Sequence, residues 1–166
     1  MSERLLSGDL LCQRQRLSAC NEYRHAKLTR ATQRLAIALG CKPSCTVHIT
    51  DQSSMLALMQ RNTALNGLQD RAKPGVYEWG EPTPPNVPET PDIILAADCV
   101  YFEPAFPLLQ QTLRDLVGPR TVCYFCFKKR RRADLQFMKV VRREFEVRGV
   151  EDDPDGEGYE RENVFL

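Results

Sequence analysis

The feature that most constrains the fold is a short apolar run, Asp92–Ala97, which is followed closely by a helical pattern. Its apolar residues are consecutive and do not alternate with polar ones, which is typical of a strand covered on both faces in a parallel sheet. Glu103 and Pro104 then open a segment with helical spacing, whose apolar residues are Phe106, Leu109, Leu113, Leu116 and Val117. A buried strand that leads into such a helix indicates an α/β fold.

The same alternation continues through most of the chain. From Ala31 onward the pattern predicts elements in the order α-β-α-β-β-α-β-α-β-β. Besides the helix that Glu103 opens, the predicted helices are Ala31–Gly40, Ser53–Leu65 and Arg130–Phe145, and the predicted strands are Thr46–Thr50, Val76–Gly80, Asp92–Ala97, Arg120–Phe127, Glu146–Val150 and Tyr159–Leu166. This order predicts a sheet with helices on both faces, and the last two strands allow an antiparallel pair.

Length and charge limit the class of protein. With 166 residues the chain is long enough for one domain and too short for two comfortable ones. The formal net charge is +1, so there is no global argument for a nucleic-acid or anionic membrane partner. No apolar run approaches the ~18–20 residues of a membrane helix, and the N-terminus lacks the apolar core of a secretory signal. We expect a cytoplasmic protein.

The seven cysteines are scattered and odd in number, which favours reduced, mostly buried thiols. Two pairs have zinc-like spacing, Cys41 with Cys45 and Cys123 with Cys126. The second pair lies in a predicted strand, where an offset of three points the two side chains to opposite faces. We therefore predict no metal site.

Four candidate side chains lie near the ends of predicted strands or just after them, at the edge where open α/β sheets bind ligands. Asp98 follows the predicted strand Asp92–Ala97, and Tyr101 lies three residues further on. The alternative is that Asp98 caps the next helix and Tyr101 packs on it. Asp51 ends an earlier strand and could accept both hydroxyls of a ribose, or could cap a helix. The lone tryptophan, Trp79, could line a cofactor pocket or belong to an ordinary core.

A basic run, Lys128–Arg132, lies at a strand-to-helix junction. Three interpretations compete for it. It could be a solvated helix start, although cations there oppose the helix dipole. It could be a nuclear or nucleic-acid patch, although no aromatic residues interleave it. It could also dock an acidic protein surface beside a ligand site at the sheet edge.

The run Ala97-Asp98-Cys99-Val100-Tyr101, followed by Pro107-Leu108-Leu109, resembles the Asp-x-x-Tyr region of seven-β-strand protein-lysine methyltransferases of the methyltransferase-16 group, which includes the methyltransferase-like 21 enzymes. Phe125–Asp134 is similar to the branch of fungal elongation factor methyltransferase 6 enzymes. The resemblance covers Leu35–Leu166. It implies a Rossmann-like seven-strand sheet, S-adenosylmethionine as cofactor, and translation elongation factor 1-alpha as the protein substrate. We also expect a monomer.

The resemblance also implies roles for individual residues. Asp51 matches the acid that binds the cofactor ribose, and Trp79 matches a Trp-Gly motif that lines the cofactor pocket. Asp98 would stand beside the sulfonium and orient the substrate lysine, and Tyr101 would line the lysine channel. Lys128, Lys129 and Arg130 would dock the protein substrate.

One family feature is absent from the sequence. The glycine-rich loop after the first strand should precede Leu35, yet there is no glycine between Gly8 and Gly40. We therefore expect residues 35–166 to be a partial methyltransferase domain that lacks its first central strand, and residues 1–34 to be an atypical segment, poorly ordered or not the native family start. The strands on either side of the gap would then have unpaired edges, pair with each other, or take a substitute from the N-terminal segment. SGDLLCQ is the only candidate for that substitute, and a poor one.

These observations leave two functions open beside methyl transfer. The first is a catalytically inactive remnant of a methyltransferase that binds a protein partner through the basic run. The second is a basic-patch nucleic-acid binder, whose binding would depend strongly on salt.

Overall fold

The structure is a computed structural model that describes residues 9–13, 46–149 and 164–165. The strands are β1 (Asp9–Gln13), β2 (Thr46–Asp51), β3 (Ala72–Val76), β4 (Ile93–Ala97), β5 (Val122–Lys128) and β6 (Val164–Phe165), and the helices are α1 (Leu56–Leu65), α2 (Phe106–Leu116) and α3 (Arg132–Glu144). One-turn 3₁₀ helices, Ser53–Met55 and Glu103–Ala105, lead into α1 and α2. The predicted helix Ala31–Gly40 lies outside the described residues.

The strands form one sheet in the order β3-β2-β1-β4-β5-β6. The first five are parallel to one another, and β6 is antiparallel to β5. The parallel part has the 3-2-1-4-5 order of the doubly wound Rossmann fold, in which the strand order reverses at β1. The predicted α/β, Rossmann-like class is confirmed. The predicted strand at Glu146 is wrong for its described part, since residues 146–149 form no strand.

The central strand of the sheet corrects one expectation. The sheet does not lack this strand, because Asp9–Gln13 occupies the position between β2 and β4. Cys12 pairs with Ile49 on one side, and Leu11 pairs with Ile94 on the other. Of the three arrangements considered for the gap, the N-terminal segment supplies the strand. Parallel partners on both sides override the weak strand propensity of this sequence. The rest of residues 1–34 lies outside the described part.

Both faces of β4 are covered, as its uninterrupted apolar run predicts. Ile94 and Ala96 belong to a large cluster with α2 and α3, which contains Leu109, Leu113, Leu116, Phe137 and Val141. Leu95, on the opposite face, belongs to a smaller cluster with Val47, Ile49, Met59 and Ala72, which packs β2 and β3 against α1. The helices thus enclose the sheet and leave the carboxyl ends of the parallel strands as its functional edge.

Two details follow from turn and edge chemistry. Gly67 ends the predicted helix with φ of 63°, a left-handed conformation that glycine adopts without a Cβ penalty. Strand β3 begins earlier than the sequence pattern predicts and contains Pro74 and Gly75. Proline is tolerated there because β3 is an edge strand.

In the parts of the chain that are described, no helix has the length and apolar character needed to span a bilayer.

Candidate active site

The carboxyl ends of β2, β1 and β4 meet at one edge of the sheet. Gln13, the last residue of β1, pairs with Thr50 on one side and with Ala96 on the other. Asp51 directly follows Thr50 and Asp98 lies two residues after Ala96, so the two acids flank the end of β1. Because neighbouring strands are about 4.8 Å apart, the backbones of Asp51 and Asp98 are separated by about 10 Å across the sheet. This edge is the point where strand order reverses, and such points bind ligands in doubly wound folds.

Asp98 has an unusual backbone conformation. Its φ is 54°, and it is the one non-glycine residue with positive φ in the described part of the chain. Its N–H donates to the carbonyl of Cys126 at 2.7 Å, which ties the end of β4 to β5. Aspartate tolerates the left-handed region better than most residues, but the conformation still carries a cost. The backbone therefore holds this carboxylate in a fixed position beyond the strand.

The Asp98 carboxylate forms an ion pair and does not cap the following helix. Its Oδ1 lies 2.9 Å from Nη1 of Arg130, and both side chains are partly exposed, at 33% and 40%. The 3₁₀ helix at Glu103 begins after Phe102 and has no side-chain cap. The helix-cap interpretation of Asp98 is therefore wrong. Arg130 instead brings positive charge to the residue for which a catalytic role is proposed.

Asp134 anchors the basic run from within the protein. It is fully buried, and its Oδ2 accepts the backbone N–H groups of Arg130 and Arg131 at 2.8 Å each. Its Oδ1 lies 3.3 Å from Nη2 of Arg131. As the third residue of α3 it also offsets the cations at the helix start. Sequence reasoning missed Asp134, although an acid three residues after a helix start is a recognised capping signal.

Arg131 extends this network to Tyr101. Its Nη2 donates to the backbone carbonyl of Tyr101, and the Tyr101 side chain is half-buried. The loop after β4 is thus held at Asp98 by β5 and Arg130, and at Tyr101 by Arg131. The structure brings the two predicted catalytic residues into one network with the start of α3.

The basic run is therefore divided by the fold. Arg130 and Arg131 reach the loop after β4, whereas Lys128 and Lys129 are exposed at the end of β5 and just after it. The three residues predicted to dock a protein substrate, Lys128, Lys129 and Arg130, keep that assignment as a proposal. Arg130 also contacts Asp98.

Asp51 is buried at the end of β2. Its Oδ1 accepts the N–H of Gln52 at 2.8 Å. The next N–H, that of Ser53, donates to Oε1 of Glu78 at 3.2 Å. Glu78 therefore caps the N–H of Ser53 at the helix start, a role that the sequence also allowed for Asp51. Asp51 lies deeper, at the end of the strand.

Trp79 lies in the larger core cluster and is almost fully buried, with Tyr77 and Val87 in the same cluster. Its Nε1 is buried and has no hydrogen-bond partner among the residues that the structure describes. Gly80, which follows it, has φ of 83°, and its N–H donates to Oγ1 of Thr112 at 3.0 Å. The Trp-Gly turn is thus fixed to α2.

Replacing Gly80 tests whether this turn is under tight steric control. An added Cβ would lie 2.7 Å from Cδ2 of Leu108, in a backbone conformation that favours glycine. We expect Gly80→Ala to lower the free energy of unfolding by about 2 kcal/mol, measured by urea denaturation. Gly67→Ala is the matched control, because it has positive φ and open space. Equal losses in the two variants would show that the Leu108 contact contributes nothing.

The cysteines on β5 lie as the spacing predicts. Both Cys123 and Cys126 are on the strand, and an offset of three puts them on opposite faces. Burial raises the pKa of Cys123 to about 12. Burial, with the charge of Asp98 as a smaller cause, raises the pKa of Cys126. Within the described residues no cluster of three potential metal ligands occurs; Cys41 and Cys45 lie outside them.

Comparison with known proteins shows the family of the chain. Residues 34–144 match the family described as lysine methyltransferase. The chain is 36% identical over 131 residues to "Protein-lysine N-methyltransferase EFM6" of Saccharomyces cerevisiae, covering 72% of this chain and 53% of that protein. It is 35% identical over 113 residues to mouse "EEF1A lysine methyltransferase 3", covering 66% and 48%. The chain thus spans about half the length of the curated relatives it matches.

Solved structures agree on the fold. A candidate methyltransferase from Pseudomonas syringae superposes with a TM-score of 0.53 at 10% identity, covering 96% of this chain and 85% of the other. At that identity the likeness supports the Rossmann-like fold alone. The family model matches residues 34–144, which is more than half of the chain, and on that match the chain belongs to the lysine methyltransferase family.

Proposed function

We propose that this protein transfers a methyl group from S-adenosylmethionine to the side-chain nitrogen of a lysine in a protein substrate. The observation that carries the proposal is the fixed Asp98 carboxylate at the sheet edge, in a chain of the lysine methyltransferase family. The proposal extends to a monomeric enzyme of the cytoplasm.

The residues at this edge fit the cofactor. A buried carboxylate at the end of β2, Asp51, is the acceptor type that ribose hydroxyls require. Trp79 supplies a buried indole N–H without a described partner, which could meet a polar atom of the cofactor. When bound, S-adenosylmethionine supplies an electrophilic methyl group on a sulfonium. Asp98, on the other side of β1, would lie toward that sulfonium.

The protein contributes mainly alignment. Methyl transfer is an in-line displacement, so the lysine nitrogen must be directed at the methyl carbon. A carboxylate has room for several hydrogen bonds, so Asp98 can accept one from the amine in addition to its pair with Arg130. Tyr101 would line the channel through which the lysine enters, and its aromatic face favours cationic groups.

A substrate of the elongation factor class is the finer proposal. Relatives whose names refer to elongation-factor methylation include mouse "EEF1A lysine methyltransferase 3". We propose elongation factor 1-alpha as the substrate, docked through Lys128, Lys129 and Arg130. All three are exposed beside the site, where they can attract an acidic surface.

Cofactor binding is the direct test. We expect S-adenosylmethionine to bind the purified full chain in isothermal titration calorimetry, and Asp51→Asn to weaken that binding by about tenfold, since an amide replaces the charged acceptor for the ribose hydroxyls. Asp70→Asn is the control, because Asp70 is exposed beside the start of β3, at the opposite edge of the sheet.

Absence of saturable binding by the folded chain would overturn the proposed function and favour the remnant that binds a partner without cofactor. Equal affinities of the Asp51→Asn variant and the wild type would instead exclude the ribose role alone. A folded chain is checked in the same samples by circular dichroism.

A further inference from the structure

The ion pair joins Asp98, just after β4, to Arg130, just after β5. The backbone of each residue is held by a hydrogen bond. Asp98 is held through its N–H by Cys126. Arg130 is held through its own N–H by the buried carboxylate of Asp134. The Arg130 backbone therefore cannot shift without breaking a hydrogen bond to a buried carboxylate, and from that position its guanidinium reaches Asp98.

A fixed guanidinium at 2.9 Å changes what Asp98 can do. A lone carboxylate would attract a lysine in its ammonium form, which has no lone pair and cannot accept a methyl group. A carboxylate that is balanced by a guanidinium presents little net charge, while the adjacent cation disfavours a second cation. The amine can still donate a hydrogen bond to the carboxylate.

We propose that Arg130 is a positioning residue that makes the site select the neutral amine of the substrate lysine. The inference rests on the proposed function and deepens it. In the transfer, the nitrogen lone pair forms the new N–C bond, and the S–C bond breaks with its electron pair staying on sulfur. The methylated ammonium then loses its proton to water. Arg130 acts before this step, by disfavouring the ammonium form beside Asp98.

The other ionisable groups near the ion pair do not account for an effect on the protonation of the substrate lysine. Arg131 is matched by the buried carboxylate of Asp134 and by the carbonyl of Tyr101. The Cys126 thiol has a raised pKa and stays uncharged at neutral pH.

The remaining cations of the run are in contact with solvent. Lys128, Lys129 and Arg132 are exposed, as Arg130 is, and salt screens such charges as distance grows. Arg130 is distinguished by its position, since its guanidinium lies 2.9 Å from the Asp98 carboxylate.

The test is the pH dependence of kcat for methyl transfer to a protein substrate, measured at fixed ionic strength. In the wild type, kcat rises with pH as the bound lysine loses its proton. Removing the cation in Arg130→Gln stabilises the ammonium, so we expect the rising limb to move up by about one pH unit. At neutral pH this is a loss of about tenfold in kcat, recovered at high pH. Arg130→Lys keeps the charge and should keep the limb near its wild-type position.

Arg132→Gln is the matched control, since it removes the same charge from an exposed neighbour that has no described contact with Asp98. A purely structural role for Arg130 predicts an equal loss of kcat at every pH, and this result would overturn the inference while leaving the proposed function intact. A limb that moves equally in Arg132→Gln would also overturn it. A wild-type chain without transferase activity would overturn the proposed function itself, and the inference with it.

Discussion

Asp98→Asn is expected to reduce kcat by about 100-fold without unfolding the protein, because a misdirected amine loses the near-attack geometry on which the displacement depends. Asparagine is chosen because it can keep the backbone conformation of Asp98. Asn occupies the left-handed region as readily as Asp does, so the φ of 54° at this position is kept. Only the charge and one acceptor are lost, and with them the pair to Arg130.

The measurement is kcat for methyl transfer to a protein substrate, with the full chain at saturating S-adenosylmethionine. Asp92→Asn is the control, since Asp92 directly precedes the same strand at its amino end and lies at the opposite edge of the sheet. Full activity of the Asp98→Asn variant would exclude the carboxylate from the reaction. Loss of cofactor affinity in step with activity would assign Asp98 to cofactor binding instead of lysine alignment.

The largest expected loss of stability follows Asp134→Ala. This substitution leaves two partly buried backbone N–H groups, those of Arg130 and Arg131, without their acceptor. It also removes the partner of the Arg131 guanidinium. The loss of two hydrogen bonds to a charged acceptor lowers the free energy of unfolding by about 3 kcal/mol, which is measurable by urea denaturation.

Asp134→Asn is the informative partner variant. It keeps one acceptor oxygen for the backbone N–H groups and removes the charge and the second acceptor, so its loss should be less than half as large. Asp115→Ala, on the exposed face of α2, should change stability by less than about 0.5 kcal/mol. Wild-type stability of Asp134→Ala would show that the buried carboxylate does not hold the start of α3.

Local pattern was enough to predict the elements that carry their own signal. The continuous apolar run of β4 and the helical spacing of α2 indicated a doubly covered strand and its helix, which the structure confirms. The loop between them placed Asp98 and Tyr101 at the sheet edge. These features depend on residues close together in sequence, where periodicity is informative.

Elements that depend on distant pairing were harder to predict. The sequence of β1 is polar at both ends and has no β-branched residue, so only its neighbours β2 and β4 make it a strand. Strand β3 contains Pro74, which is acceptable only because the strand lies at the edge. The Arg130–Asp98 pair depends on the register of β4 against β5, and no pattern within the basic run indicates it.

The central place of β1 has a consequence for how the chain folds. Its pairing with β4 joins residues about eighty positions apart in the sequence, as Leu10 and Ile93 are. Contacts of such high sequence separation incur a large loop-closure entropy and therefore slow folding. Until β1 joins, β2 and β4 each present an open edge to other chains. The strand at the centre of the sheet is thus also the one whose pairing closes the two edges through which a folding chain could aggregate.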